Sequence, residues 1–304
     1  MTSVPNIPGE PTDQATLPQG TIAPSPKDIA PGLYLVATPI GNLRDITLRA
    51  LDVLAGADRV LAEDTRMSRR LFDAYGLRPK CEAYHEHNAG RRRDSVLVAL
   101  EQGAKIALIS DAGTPLISDP GYKLVREAAA RGVAVYAIPG PSAMLAALTV
   151  SGLPTDKFLF AGFLPPRQSA RRRALEALKP TPASLVFYET AKRVLAVLDD
   201  MNAVLGPRPA VLARELTKRF ETLYRAPLDQ LGSQIPEAEL RGEMVLVIGP
   251  PDDEGQWDEA QIDTALTEAM THQSLKGAVD EISKMCGQPR RLVYRRALDI
   301  QKQS

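Results

Sequence analysis

Ile109-Ser-Asp-Ala-Gly-Thr-Pro-Leu-Ile-Ser-Asp-Pro-Gly121 is the stretch on which the fold turns. It leaves the apolar run Lys105-Ile-Ala-Leu-Ile109 and enters a helical pattern beginning at Tyr122. Small residues, two aspartates and two prolines thus sit where a buried strand ends, and open α/β sheets bind ligands at such ends. The turn Ile138-Pro-Gly-Pro-Ser-Ala143 repeats the design after the strand Val133–Ala137. Two small-residue turns at neighbouring strand ends make a crevice that backbone can approach closely. Neither turn is G-x-G-x-x-G or a Walker loop, so the dinucleotide and nucleoside-triphosphate readings lose their main support.

Outward from this stretch, strands alternate with helices. Strands are expected at Leu33–Ala37, Ala57–Ala62, Lys105–Ile109 and Val133–Ala137, with helices at Leu48–Leu54, Met67–Tyr75 and Arg91–Gln102. That alternation predicts a mainly parallel, doubly wound sheet. A second series follows, with strands at Phe158–Phe163, Ser184–Tyr188, Ala210–Ala213 and Met244–Gly249 and helices at Ala143–Val150, Ala170–Leu178 and Ala191–Met201. The expected organisation is a disordered Pro-rich leader over 1–31, an α/β domain over 32–141, a second over 142–250, and a linker with a small helical unit over 251–304. In that last unit, helices at Asp258–His272, Leu275–Met285 and Arg290–Gln301 resemble a helix-turn-helix.

Composition narrows the class. The 304 residues carry 37 basic and 37 acidic side chains, a formal net charge of zero, so any nucleic-acid binding must use local patches. Cys81 and Cys286 form no C-x-x-C and fit a reducing cytosol. No run is apolar enough to span a membrane, and the leader, with seven prolines and no apolar core, is no signal peptide.

Several segments together carry a family resemblance: Leu35-Val-Ala-Thr-Pro-Ile-Gly-Asn-Leu-Arg-Asp-Ile-Thr47, Ala62-Glu-Asp-Thr-Arg66, His85-Glu-His-Asn88, Ser110–Gly121, Phe187-Tyr-Glu189, Ala213-Arg-Glu-Leu-Thr-Lys218 and Gly242-Glu-Met244. With them the chain resembles the class III S-adenosylmethionine-dependent methyltransferases, the tetrapyrrole-methylase-like superfamily. The Pro-Ile-Gly-Asn-Leu and Ala-Arg-Glu-Leu-Thr-Lys segments make it most similar to the RNA-modifying branch, the 16S rRNA cytidine 2′-O-ribose methyltransferases. The resemblance implies a cytoplasmic homodimer of two-domain subunits, acting on a decoding-centre cytidine of the small ribosomal subunit. S-adenosylmethionine would lie between the domains, touching Pro39, Asp111, Gly113, Thr114, Ser142, Ala143, Tyr188 and Met244. Two alternatives stay open: C-methylation of a tetrapyrrole by the same fold, and a non-catalytic nucleic-acid-binding regulator.

The polar clusters supply candidates for chemistry. Transfer to a hydroxyl needs in-line alignment and a proton acceptor, and the shortlist is Glu63, His87, Lys218 and Glu221. Asp64 also reads as a helix cap, but Arg66 and Arg69 on the same polar edge favour a functional reading of this cluster. His85 and His87 alone are a weak metal signal, and no metal is expected. Glu189 and Arg193, four apart, read as a helix-surface pair, and Arg214, Glu215, Lys218 and Glu221 read as substrate contacts or ion pairs. Arg91, Arg92 and Arg93, and Arg171, Arg172 and Arg173, place three cations at an expected helix start. That opposes the helix dipole and suggests an external phosphate. With Arg66, Arg69, Arg290, Arg291 and Arg295 they form the expected RNA-binding set.

Overall fold

The computed structural model describes residues 28–117, 121–251 and 259–303, apart from the side chains of Glu86, His87 and Gln303. The expected leader lies almost wholly outside these residues. The described residues form two compact units, divided between Pro250 and Pro251.

The first unit opens with β1 (Gly32–Val36), α1 (Leu48–Gly56), β2 (Arg59–Ala62), α2 (Thr65–Ala74), β3 (Cys81–Ala83), α3 (Glu86–Glu101), β4 (Lys105–Ile109), α4 (Tyr122–Ala130) and β5 (Val135–Ile138). The strands pair in parallel in the order β3-β2-β4-β1-β5. Both faces of the central strands are covered, as parallel sheets require. Tyr34, Val36, Ala107 and Ile109 pack into a cluster with α1 and α2, while Leu33, Ile106 and Leu108 pack with α3 and α4. The strand order reverses direction around β4 and β1, so their C-terminal loops flank the crevice at the switch point.

Then follow α5 (Ala143–Ser151), β6 (Phe158–Phe163), α6 (Gln168–Leu178), β7 (Ser184–Thr190), α7 (Val194–Leu205), β8 (Pro209–Arg214), β9 (Thr222–Pro227), the single turn α8 (Leu228–Leu231) and β10 (Glu243–Ile248). This sheet runs β6-β7-β10-β8-β9, and only β6 and β7 are parallel. Side chains alternate across it with period two. Leu185, Phe187, Met244, Leu246 and Ile248 face α6 and α7, whereas Val186, Val245 and Val247 face α5 and Ile40 of the first half. Ile40 thereby ties the β1 loop into the second core.

Helix starts correct two expectations. Asp64 does cap α2, accepting from the Arg66 N–H at 2.8 Å. However, α3 begins at Glu86 and α6 at Gln168, so neither arginine triplet stands at a helix start. The dipole argument for an external phosphate therefore fails at both. Arg92 pairs with Glu82 and Arg93 with Glu127, at 3.1 and 3.0 Å. Arg171 is buried, and it and Arg172 donate to the fully buried Asp200 at 2.7 and 2.6 Å. Burial alone would raise the Asp200 pKa, but hydrogen bonds from Arg172, Arg171 and Gln168 outweigh it and hold the carboxyl below its ordinary value. Arg171 and Arg172 are thus counter-charges for α7. Arg171→Ala is expected to destabilise the fold by on the order of 2 kcal/mol, below the usual cost of breaking a buried pair because Arg172 remains. Urea unfolding checks this, and an unchanged midpoint would refute it.

The second unit is α9 (Glu259–His272), α10 (Leu275–Cys286) and α11 (Arg290–Gln303). Ser274 caps α10, and Gly287, at φ +65°, ends it in the left-handed conformation that glycine tolerates. Ile262, Leu266, Val279, Ile282, Val293 and Ala297 form its core. Arg296 clamps Asp263 and Glu259, and Arg290 pairs with Asp280, while Arg291 and Arg295 are exposed.

Candidate active site

The loops after β1, β4 and β5 are stitched together by their own backbone. Thr38 and Gly113 exchange two N–H to carbonyl bonds of 2.9 Å, and Thr114 Oγ1 donates to the Pro141 carbonyl at 3.1 Å. Gly113 sits at φ +83°, and a Cβ there would press on Ile40 at 3.3 Å. Any other residue would strain this corner.

Beside these loops opens a cavity of about 390 Å³, a size common for small-molecule sites. The first half contributes Ile40, Asp111–Thr114 and Ile117 to its wall, and the entry into α5 adds Ser142 and Ala143. The second contributes Phe163, Tyr188–Thr190, Leu216 and Gly242–Val245. Of the eight residues expected to touch a cofactor, seven stand on this wall together: Asp111, Gly113, Thr114, Ser142, Ala143, Tyr188 and Met244. Pro39 does not line it, although its neighbour Ile40 does. Phe163, Leu216, Glu189 and Glu243 also line it and were not anticipated. The fall of Phe163 at the very end of a Phe-rich strand was the available signal. Among the described residues the wall carries the carboxylates Asp111, Glu189 and Glu243 and no Lys, Arg or His.

Glu63, Lys218 and Glu221 of the chemistry shortlist do not line this wall. Glu63 directly follows β2, and His85 and Asp111 lie two residues beyond the ends of the adjacent strands β3 and β4. Asp111 Oδ1 accepts the Asp64 N–H at 2.9 Å, which binds the start of α2 to the cavity. Burial and the Asp111 carboxylate raise the Glu63 pKa against a smaller opposing pull from His85. His87 lies in α3, but its side chain is outside the described residues. His85 caps that helix: its N–H donates to Asn88 Oδ1 at 3.0 Å. Among the described residues no cluster of three or more His, Cys, Asp and Glu could hold a metal ion.

Lys218 and Glu221 belong to a clasp between the halves. Lys218 Nζ donates to Glu215 Oε1 at 3.1 Å and to Glu243 Oε2 at 2.9 Å, and its stem covers Gly41, where a Cβ would fall 2.5 Å from Lys218 Cγ. Glu221 accepts the Thr217 N–H at 2.6 Å, and Thr217 Oγ1 accepts the Asn42 N–H at 3.2 Å. Glu215 and Thr217 hold φ values of +50° and +64°, a strain these contacts sustain. The Pro-Ile-Gly-Asn and Arg-Glu-Leu-Thr-Lys segments are therefore in contact. Arg214 is buried and bonds the carbonyls of Arg241 and Phe220, which makes it structural. Glu189 and Arg193 correct another expectation. Glu189 is a buried strand residue whose Oε1 accepts the Thr190 N–H at 2.7 Å, and Arg193, 3.3 Å from Oε2, also donates to the Leu164 carbonyl. The pair locks the β6 and β7 ends that carry Phe163 and Tyr188, and is not a helix-surface pair.

Two sheets joined across such a cavity are the architecture of a methylase. Residues 32–232 match the family described as Tetrapyrrole (Corrin/Porphyrin) Methylases. The same fold occurs in diphthine synthase, at TM-score 0.58 and 16% identity over 71% of this chain and 89% of that one. It occurs also in cobalt precorrin-4 methyltransferase, at TM-score 0.55 and 17% identity over 71% and 94%. Residues 257–301 match the RsmI C-terminal HTH domain. A ribosomal RNA small subunit methyltransferase I of Mesorhizobium japonicum is 49% identical over 91% of this chain and 95% of its own. One from Escherichia coli O157:H7 is 43% identical over 88% and 95%. The chain belongs to the ribosomal RNA small subunit methyltransferase I family.

Proposed function

We propose that this protein transfers a methyl group from S-adenosylmethionine to the ribose 2′-oxygen of a decoding-centre cytidine in 16S rRNA of the small ribosomal subunit. The observation that carries the reading is the family relationship, which spans both the methylase fold and the C-terminal helical unit. The tetrapyrrole alternative is less supported, because the relatives that match along most of the chain are named for ribosomal RNA. A purely regulatory protein would not need the methylase domain it carries.

The cavity fits the cofactor. Its carboxylates, with no lining cation among the described residues, suit a ligand bearing positive charge and no phosphate. When bound, S-adenosylmethionine supplies a methyl group activated by a sulfonium. Asp111, with no Lys or Arg partner among the described residues, draws the cationic portion. The N–H groups at the start of α5, by Ser142 and Ala143, suit a carboxylate. Phe163, Tyr188, Leu216 and Val245 offer an apolar wall to an adenine. Glu63 is the proton acceptor for the 2′-hydroxyl, and its raised pKa makes it a stronger base than an ordinary glutamate. Lys218 and Glu221 position the clasp. Calorimetric titration with S-adenosylmethionine tests the cavity assignment, and failure to bind would overturn it.

The reading includes a cytoplasmic homodimer. It is supported by apolar side chains exposed on edge strands and on α5: Tyr136, Phe158, Leu159, Leu145 and Val150. No helix among the described residues is long and apolar enough to cross a membrane. Sedimentation equilibrium is expected to return twice the chain mass for the native protein, and the monomer mass for a Phe158→Asp, Leu159→Asp variant. A monomeric native protein would refute the dimer.

A further inference from the structure

A second cavity, of about 400 Å³, lies between α2 and the segment leading into β3. Arg66, Arg69 and Arg78 line it with Asp73 as the one acid among the described residues, over Phe72, Leu77 and Cys81. Arg66, Arg69 and Asp73 share a helix face by their spacing, and Arg78 joins them from the following loop. Arg66 pairs with Asp64 at 2.8 Å and Arg78 with Asp73 at 3.0 Å, yet the two arginine side chains are 90% and 72% exposed. Exposed pairs of this kind contribute little, so an incoming phosphate can take either guanidinium from its carboxylate. Arg69 is exposed and has no ion pair among the described residues. This contrasts with Arg92, Arg93, Arg171 and Arg172, each held by an internal carboxylate.

The place of this cavity gives it a role. The Asp64 N–H is bound to Asp111, so α2 starts at the wall of the methylase cavity and leads away from it. An RNA strand whose nucleotide enters the first cavity and runs along α2 meets Arg66 first, then Arg69 and Arg78, and guanidinium forks match phosphate oxygens. We propose that this second cavity holds the backbone phosphates of a nucleotide neighbouring the methylated one. The proposal rests on the methyltransferase reading above.

The test uses the full chain, small ribosomal subunits lacking the modification, and two readouts. Arg69→Glu combined with Arg78→Glu is expected to weaken subunit binding at least about tenfold and to lower the salt-dependence slope by about two. S-adenosylmethionine affinity, by calorimetry, stays at the native value and reports an intact fold. Independently, Cys81 lines this cavity while Cys286 is buried. Burial pushes the Cys81 thiol up, so N-ethylmaleimide is used at alkaline pH. Subunits are expected to slow Cys81 modification in the native protein. If the native protein methylates subunits but either readout is unmoved, the second cavity is not a phosphate site. If the native protein neither binds nor methylates subunits, the methyltransferase reading fails first and the proposal with it.

Discussion

Glu63→Gln is expected to lower kcat about a thousandfold, within the range for losing a general base, while S-adenosylmethionine affinity stays unchanged. Glutamine keeps the shape and hydrogen-bonding reach of the side chain but cannot accept the 2′-hydroxyl proton. The pH profile carries the same signature. Burial and the neighbouring Asp111 carboxylate raise the Glu63 pKa. A base acts only when deprotonated, so the rate falls as pH drops through that raised value, and the acid limb lies above the ordinary glutamate range. Asp111→Asn removes the repulsion and is expected to shift the limb to lower pH. Single-turnover methyl transfer under saturating cofactor measures both. Retained kcat in Glu63→Gln would take Glu63 out of the chemistry.

Asp111→Ala is expected to weaken S-adenosylmethionine binding about a hundredfold, the scale of a lost charged hydrogen bond. Two losses add. The cavity wall gives up a carboxylate that has no Lys or Arg partner among the described residues, and the Asp64 N–H gives up its acceptor, loosening the start of α2. The neutral product S-adenosylhomocysteine lacks the sulfonium charge and is expected to lose less affinity than the cofactor. Calorimetry with both ligands checks this. Equal affinity in native and variant protein would remove Asp111 from the site.

Local pattern made much of this architecture legible. The apolar run Lys105–Ile109 coincides with β4 and Ser184–Tyr188 falls within β7, because buried strands must be apolar and their flanking turns need small residues. Two of the four edge strands, β3 and β9, were not legible. Cys81-Glu-Ala83 is short and polar, and Thr222–Pro227 mixes Thr, Tyr and Arg before a proline, since each pairs on one side only. Pairings distant in sequence were equally hidden. Nothing near Arg171 announces Asp200, 29 residues away, so a buried ion cluster read as an RNA patch. Arg78 shows the converse: lying in a loop after α2, it gains meaning only when the chain brings it beside Arg66 and Arg69. For the cofactor cavity, the turns after β4 and β5 were legible because small residues at strand ends have few other uses. Its apolar wall was legible only in part, since Phe163 and Leu216 look like any core residue until the second sheet is folded.

The most direct test of the account is methyl transfer itself. Purified protein is incubated with methyl-labelled S-adenosylmethionine and small ribosomal subunits from a strain lacking the gene, and the digested nucleosides are resolved by mass spectrometry. The account predicts label on the ribose of cytidine, in 16S rRNA alone. Label on a base, or no label on RNA while the protein still binds the cofactor, would contradict it.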